Sequence, residues 1–399
     1  MNITRFAAWL FLLIASTQAC SKTAIKSQDL TPVWHTGWKA PGYTADSFSW
    51  TRFGTLGNGN ANFAAASFSS TDLRRKIINF KCRFNSLEAL KGFEIRFSNN
   101  KDFKSHLSFN IPLYDTPGFN IIQPNEWHNL SFGLGNAVTV GNPDTSSIQY
   151  VGVYYQDKGS IALSLDISDI SITESSYNPI LSYTFDDGYV ETLAVADILS
   201  EYKQAATAYI IPDGIDEPNY LTLDDVDKLV KLGWGISSHD TLPFTQRTPD
   251  ELNKRLNVLN KYFQDNNLQK AMRHLAYPQG EQNRSYVVPL VRSMYDTART
   301  AGGGMETLPP GDFALLRAYN VLNTTSVEEL HKQVVQAKKN NQWLILMFHY
   351  FHDPESPAET PLSFDINKFR QFVEIVSNEG ITVTPVHQVY EMFTETKTQ

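Results

Sequence analysis

The feature that most limits what this chain can fold into is a change of texture near residue 174. Residues 32–173 run in short stretches where apolar and polar residues alternate. Examples are Phe93-Glu94-Ile95-Arg96-Phe97 and Gln149-Tyr150-Val151-Gly152-Val153-Tyr154-Tyr155, with the run from Ile161 to Ile172 closing the region. A period of two puts every other side chain on one face of an extended strand. With Gly, Asn, Asp and Ser clusters between the runs, the pattern predicts an all-β sandwich. After the turn-rich Glu174-Ser175-Ser176-Tyr177-Asn178-Pro179 the pattern is different. Strand-like segments at 180–184, 206–211 and 343–348 alternate with helix-like segments at 190–202, 222–232, 249–266 and 327–339. Strands that alternate with helices pair in parallel, so about 220 residues of this kind predict an α/β domain, a distorted (β/α) barrel. The expected organisation is two domains, a β-sandwich over 30–175 and the barrel over 178–396, in a chain of 399 residues.

Residues 1–20 fit neither domain. Arg5 is followed by the apolar stretch 6–16 and then by Thr17-Gln18-Ala19-Cys20 before the polar Ser21-Lys22. That is the layout of a secretory signal peptide. The apolar run is short of the roughly 20 residues needed to cross a bilayer. Cys20 after a small residue resembles a bacterial lipoprotein box, although Thr17 and Gln18 fit that box poorly. The resemblance implies lipidation at Cys20 and an exported envelope lipoprotein, periplasmic or at the cell surface, held to the membrane through a lipid anchor. Ordinary cleavage, giving a secreted protein, is the alternative. Cys82 is the only other cysteine, so the mature chain has neither a disulfide framework nor a cysteine zinc site. The net charge of −8 comes with no cluster of Lys and Arg that could neutralise a phosphate backbone, and nucleic acid is excluded as a partner.

In a parallel β/α domain the chemistry sits where strands end, so polar residues just after apolar runs carry the most information. Three places stand out. Thr184-Phe185-Asp186-Asp187-Gly188 puts two adjacent carboxylates after a strand, where one can hold a metal while the other takes a proton. Taken alone it is equally a turn with a helix cap. His239, in Ser237-Ser238-His239-Asp240, can ligate a divalent ion through a neutral ring nitrogen, or serve structure. His349 closes the most apolar strand of the domain, where a polar ring needs a hydrogen-bond partner or a catalytic task.

In this order the segments resemble the motifs of the NodB-like polysaccharide deacetylases, the fourth carbohydrate esterase family, over roughly 180–393. The resemblance implies a barrel of the NodB type and a metal-dependent hydrolase removing N- or O-linked acetyl groups from an acetylated polysaccharide. It implies Asp186 as general base, Asp187 and His239 as ligands of a divalent metal, Zn2+, and His349 as general acid. The backbone N–H of Gln279, in Ala276-Tyr277-Pro278-Gln279-Gly280, would bind the oxyanion, a role that survives a change of side chain. Tyr277, Pro278, Arg299 and Leu346 would line the substrate pocket, Leu346 against the acetyl group.

Two departures stand beside the match. The family's second ligand His would fall at Pro243, so Asp240, a water or His274 is left to complete the metal shell. Ala276 replaces an Arg that pairs with the acidic residues, a place Arg299 or Arg273 could fill. A catalytically impaired carbohydrate-binding pseudoenzyme of the same fold is therefore the alternative expectation. A glycosidase is disfavoured, because adjacent Asp186 and Asp187 point in different directions instead of flanking a bond. The end of the first region, with Trp127 ahead of Leu130 and Phe132, loosely resembles jelly-roll carbohydrate-binding modules. Trp34, Trp38 and Trp50 could stack on sugar rings or pack in a core.

Overall fold

The structure is a computed structural model that describes residues 27–30, 33–34, 40–43, 49–111, 123–168, 170–353, 355, 358 and 360–394. The expected signal peptide, Cys20 and Trp38 lie outside the described residues, as does the side chain of Trp34. No helix among the described residues is long and apolar enough to cross a membrane.

Two antiparallel sheets make up the first region. In the seven-stranded sheet, Lys76–Phe84 lies between His128–Phe132 on one side and Ser164–Ser168 with Ile170–Glu174 on the other. The six-stranded sheet is built around Ile148–Asp157, paired on one edge with Leu90–Ser98 and on the other with Ala61–Thr71. The period-two pattern decides which side chains go inside. Ile78, Phe80, Cys82 and Phe84 meet Phe93, Ile95, Phe97, Val151 and Val153 in one shared core, while Asn79, Lys81 and Arg83 point outward. This is a β-sandwich. Cys82 is fully enclosed, and burial pushes its thiol up to about 12, so it packs as a small apolar residue.

The second region is a closed barrel of seven parallel strands: β1 (Ile180–Asp187), β2 (Thr207–Ile210), β3 (Gly235–Ser238), β4 (His274–Ala276), β5 (Thr297–Gly303), β6 (Leu316–Asn320) and β7 (Trp343–Phe348). β1 closes the ring by pairing with β7 along one edge. Its other edge is shared. Ile180 and Leu181 pair with a short strand β8 (Thr382–Val383), and 184–187 pair with β2. Helices α1 (Thr192–Glu201), α2 (Leu223–Lys231), α3 (Pro249–Asp265), α4 (Val287–Met294), α5 (Val327–Asn340), α6 (Ile366–Glu379) and α7 (Val386–Thr394) complete the domain.

Strand alternation sorts the barrel side chains into two layers. Leu181, Tyr183, Phe185, Leu344, Leu346 and Phe348 pack with α1, α5 and α6. Ile180, Leu316, Ala318, Trp343, Ile345 and Met347 form the other cluster, which α7 closes through Val386 and Val389. Helix starts follow from local chemistry. Thr222 with Asp225, and Thr248 with Glu251 behind Pro249, form reciprocal caps that satisfy otherwise orphaned N–H groups.

A buried polar joint ties the two regions together. Gln342 accepts from the Gly135 N–H at 2.7 Å and donates to Asn136 at 2.7 Å, while Asn136 donates to the Met305 carbonyl at 2.9 Å. Arg317, paired with Glu306 at 2.9 Å, donates to the Ser131 carbonyl at 2.9 Å. Both members of that ion pair are buried. Removing one partner leaves the other charged and enclosed, so Arg317→Leu is expected to cost about 3–5 kcal/mol, as a lower urea midpoint.

Three buried histidines set the acid limit of this fold. Burial lowers His128 to about 4, His274 to about 3 and His387 to about 4, and among the described residues both ring nitrogens of His387 lack a partner. Each is neutral when folded but binds a proton below roughly pH 6.5 when unfolded. Their contribution is therefore complete above that pH and is lost as pH falls toward 4. The expected outcome is a melting temperature that drops steadily over this window, with a shallower drop in His387→Leu, checked by calorimetry from pH 7 to pH 4.

Candidate active site

The barrel delivers Asp186, Asp187, His239, Gln279, Arg299 and His349 to one cavity of about 500 Å³. Asp186 and Asp187 end β1, where the chain turns sharply. Asp187 takes φ +73° and Gly188 φ +86°, so the two carboxylates leave the strand in different directions. Left-handed backbone at a non-glycine residue is strained, and Gln279 (φ 56°) is the second such residue at this cavity. Gly280 follows it with φ +73°, and a Cβ there would sit 2.5 Å from that of Ala301. Only glycine lets the Gln279 loop lie this close to β5.

His239 follows β3 directly. Its Nδ1 donates to the Ala276 carbonyl at 2.8 Å, so in the neutral ring Nε2 carries a lone pair. That lone pair faces Asp187 Oδ1 at 3.3 Å. Two lone pairs held face to face need a cation or a proton between them. Zinc bonds of about 2.0–2.2 Å to N and O, opened to a tetrahedral angle, separate two ligand atoms by roughly 3.3–3.4 Å. The pair therefore fits a divalent metal. The electrostatics agree. Burial works against both charges, yet the hydrogen bond with Asp187 and the charges of Asp186 and Asp187 raise His239. Asp187 in turn is lowered by His239, by His349 and by the Tyr189 hydroxyl.

Asp186 is buried and is gripped by Arg299, whose Nη2 lies 2.5 Å from both carboxylate oxygens. Arg299 rises from β5, also fully buried, with its guanidinium 5.1 Å from the Tyr209 ring centre. Of the two arginines that could replace the one missing at Ala276, Arg299 takes the place. Arg273 pairs with Asp296 instead. His349 Nε2 stands 3.8 Å from Asp186 Oδ2, and among the described residues its Nδ1 has no partner. Burial lowers the His349 pKa against the pull of both carboxylates.

The structure also decides between the expected completions of the metal shell. Asp240 lines the cavity, but both its oxygens are taken. Arg247 reaches it at 2.8 Å, Arg255 at 2.9 and 3.0 Å, and the Thr241 N–H at 2.9 Å. His274 starts β4, at the opposite end of that strand from the mouth, and hydrogen-bonds Thr297 at 2.9 Å. Water remains. No group of three or more His, Cys, Asp or Glu side chains that could hold a metal occurs among the described residues.

Of the four expected pocket residues, Arg299 and Tyr277 line the cavity, whereas Leu346 and Pro278 do not. Leu346 lies on the helix-facing side of β7, inside the core with α5 and α6. Met347, two residues before His349 and so on the same face of the strand, lines the cavity. Tyr277 borders the cavity, but its hydroxyl donates to the Ala314 carbonyl at 3.0 Å and its ring belongs to the α3–α4 core. Pro278 is buried and is not part of the lining. Sequence reasoning also missed Tyr189, Tyr220 and Asn320, which line the cavity, and Tyr350, whose ring stacks on Tyr189 with centroids 4.0 Å apart. Of these, Tyr189 alone carried a signal, its position directly after the Asp-Asp-Gly turn.

Residues 174–294 match the polysaccharide deacetylase family model, and this stretch contains Asp186, Asp187, His239 and Gln279. No curated protein matches the chain. Solved structures similar to part of this chain include the Xyl-CE4 domain of a multidomain xylanase from the hindgut metagenome of Trinervitermes trinervoides. It is 18% identical with a TM-score of 0.39 over 54% of this chain and 91% of that one. A family 4 acetyl xylan esterase from Clostridium thermocellum, in complex with a cobalt ion, is 17% identical, with a TM-score of 0.39 over 53% and 91% of the two chains. The peptidoglycan deacetylase PdaC from Bacillus subtilis is 14% identical, with a TM-score of 0.37 over 55% and 94%.

Arg299→Leu leaves a buried carboxylate without its counter-charge and is expected to destabilise the chain by about 3–5 kcal/mol. Adding Asp186→Asn should recover part of that loss. A double-mutant cycle by urea unfolding measures the coupling, and purely additive effects would refute the pairing.

Proposed function

We propose that the chain is a metal-dependent hydrolase that removes acetyl groups, N- or O-linked, from a polysaccharide. The observation that carries this reading is the convergence of an Asp187–His239 pair, spaced for a divalent cation, with Asp186, Arg299 and His349 around one cavity. The match of residues 174–294 to the polysaccharide deacetylase model supports it independently.

Asp187 and His239 would hold the cation, with Zn2+ suited to this mixed oxygen and nitrogen pair. Such an ion, when bound, polarises the acetyl carbonyl and acidifies water. The chain's own residues do the rest. Asp186 is the base that takes the proton from the attacking water, and Arg299 aims its carboxylate through a buried ion pair. His349 lies 3.8 Å from Asp186, so a proton collected there has a short path to the ring and then to the leaving amine or alkoxide. The Gln279 N–H, set by the strained turn and by Gly280, is the backbone donor for the oxyanion. Met347 replaces Leu346 as the residue beside the acetyl methyl.

Export as an envelope lipoprotein anchored through Cys20, and binding of carbohydrate by the sandwich, complete the proposal. They rest on the sequence alone. A second reading, a carbohydrate-binding pseudoenzyme, is favoured by one observation, that no group of three or more potential metal ligands occurs among the described residues.

The discriminating experiment is acetate release from acetylated xylan and from partially acetylated chitosan. Release is expected to stop with a chelator, to return with added Zn2+ or Co2+, and to fall by about 10²–10⁴-fold in Asp186→Asn. Polymer binding without release at any metal concentration would leave the pseudoenzyme standing.

A further inference from the structure

A second cavity, of about 550 Å³, lies between the outer face of the seven-stranded sheet and a loop of the barrel. We infer that this cleft binds a neutral stretch of carbohydrate chain, separately from the catalytic cavity. The nature of the polymer rests on the function proposed above, whereas the cleft itself does not.

The sheet wall of the cleft carries Asn79, Asn129, Ser131, Ser168, Ser171 and Thr173, all short, neutral and hydrogen-bonding. Elsewhere on the same face the outward positions carry long side chains that cover the strands. Arg52 and Arg83 both reach across to a buried Asp166, at 2.6 and 2.8 Å. The short residues therefore leave a hollow where the sheet would otherwise be covered. Their hydrogen bonds are also ordered. Ser131 donates to Asn79 at 2.9 Å, and Asn79 donates to Thr173 at 3.2 Å, a relay across three strands. Thr173 accepts in this relay and so has its own O–H to give.

The facing wall is apolar, with Pro309 and Pro310 from the loop between β5 and β6. A pyranose offers both surfaces, hydroxyl groups around its edge and C–H groups on its faces. A cavity with apolar lining and a few placed polar groups, within the usual range of about 300–1,000 Å³, suits such a ligand. Charge points the same way. Among the described residues the lining carries two charged side chains, Lys81 and Glu174, one of each sign. An anionic chain would find no surplus of positive charge.

The cleft is also held open. Gly311 presses on the sheet so closely that a Cβ there would lie 2.5 Å from Ser131 Oγ, and Arg317 holds the Ser131 carbonyl from the barrel side. Neither wall has to move to admit a ligand, so little ordering entropy opposes binding.

The test uses the full chain in gels containing acetylated xylan or partially acetylated chitosan, alongside kinetics on the same polymers and on 4-nitrophenyl acetate. Ser171→Trp and Thr173→Tyr fill the cleft. Each is expected to weaken retention and raise KM for the polymer by about tenfold, leaving kcat/KM on the small ester within about twofold. Asn129→Ala, at an exposed position, keeps the question answerable should a bulky variant fail to fold, and should show a smaller loss in the same direction. Acetate release with cleft variants that bind polymer like the parent overturns this inference and leaves the deacetylase standing. Retention lost in the variants of a chain that releases no acetate does the reverse. A parent chain retained by neither polymer, or one retained as well by a neutral peptide gel, also overturns it.

Discussion

The whole mouth of the barrel depends on how β1 is paired. One edge is taken by β7 along its length, while the other is divided, its first residues to β8 and its last to β2. β8 is only two residues long, so β1 is supported at its start without being covered at its end. That end is where Asp186 and Asp187 stand. With β2 and β7 on either side, His239 after β3 and His349 after β7 arrive at the same opening. No loop has to carry a functional group across the barrel, and strand ends hold side chains more firmly than loops do.

Within the mouth, two neighbouring carboxylates are given opposite surroundings. Asp186 is buried against a guanidinium that neutralises it. Asp187 is turned the other way by a left-handed backbone and faces an imidazole whose proton is committed elsewhere. A mere turn or cap would place both side chains toward the following helix. Here the helix has no side-chain cap at all, and both acids serve the cavity.

Much of this was legible in the sequence, and the failures have physical causes. The alternation of strand-like with helix-like segments was visible, and α2, α3 and α5 fall within about two residues of the expected spans. α4 was not singled out, because Val287-Val288-Pro289-Leu290-Val291 is β-branched and short, and reads as a strand. The strand-end acids and histidines were found because apolar runs announce them. Leu346 falls outside the cavity because strand alternation, counted back from His349, puts it on the opposite face of β7. Asp240 could not be judged at all. Its arginine partners come from seven and fifteen residues away, and nothing local marks them.

The joint around Gln342 and Arg317 has a consequence for anyone who cuts the chain. Gln342 is almost fully enclosed between the two regions, and Arg317 shares its guanidinium between Glu306 and a sandwich carbonyl. A barrel expressed by itself would strand these groups at a surface never meant to be wet. Heating the intact chain should accordingly melt both halves in one step, since neither can let go without dissolving the seam.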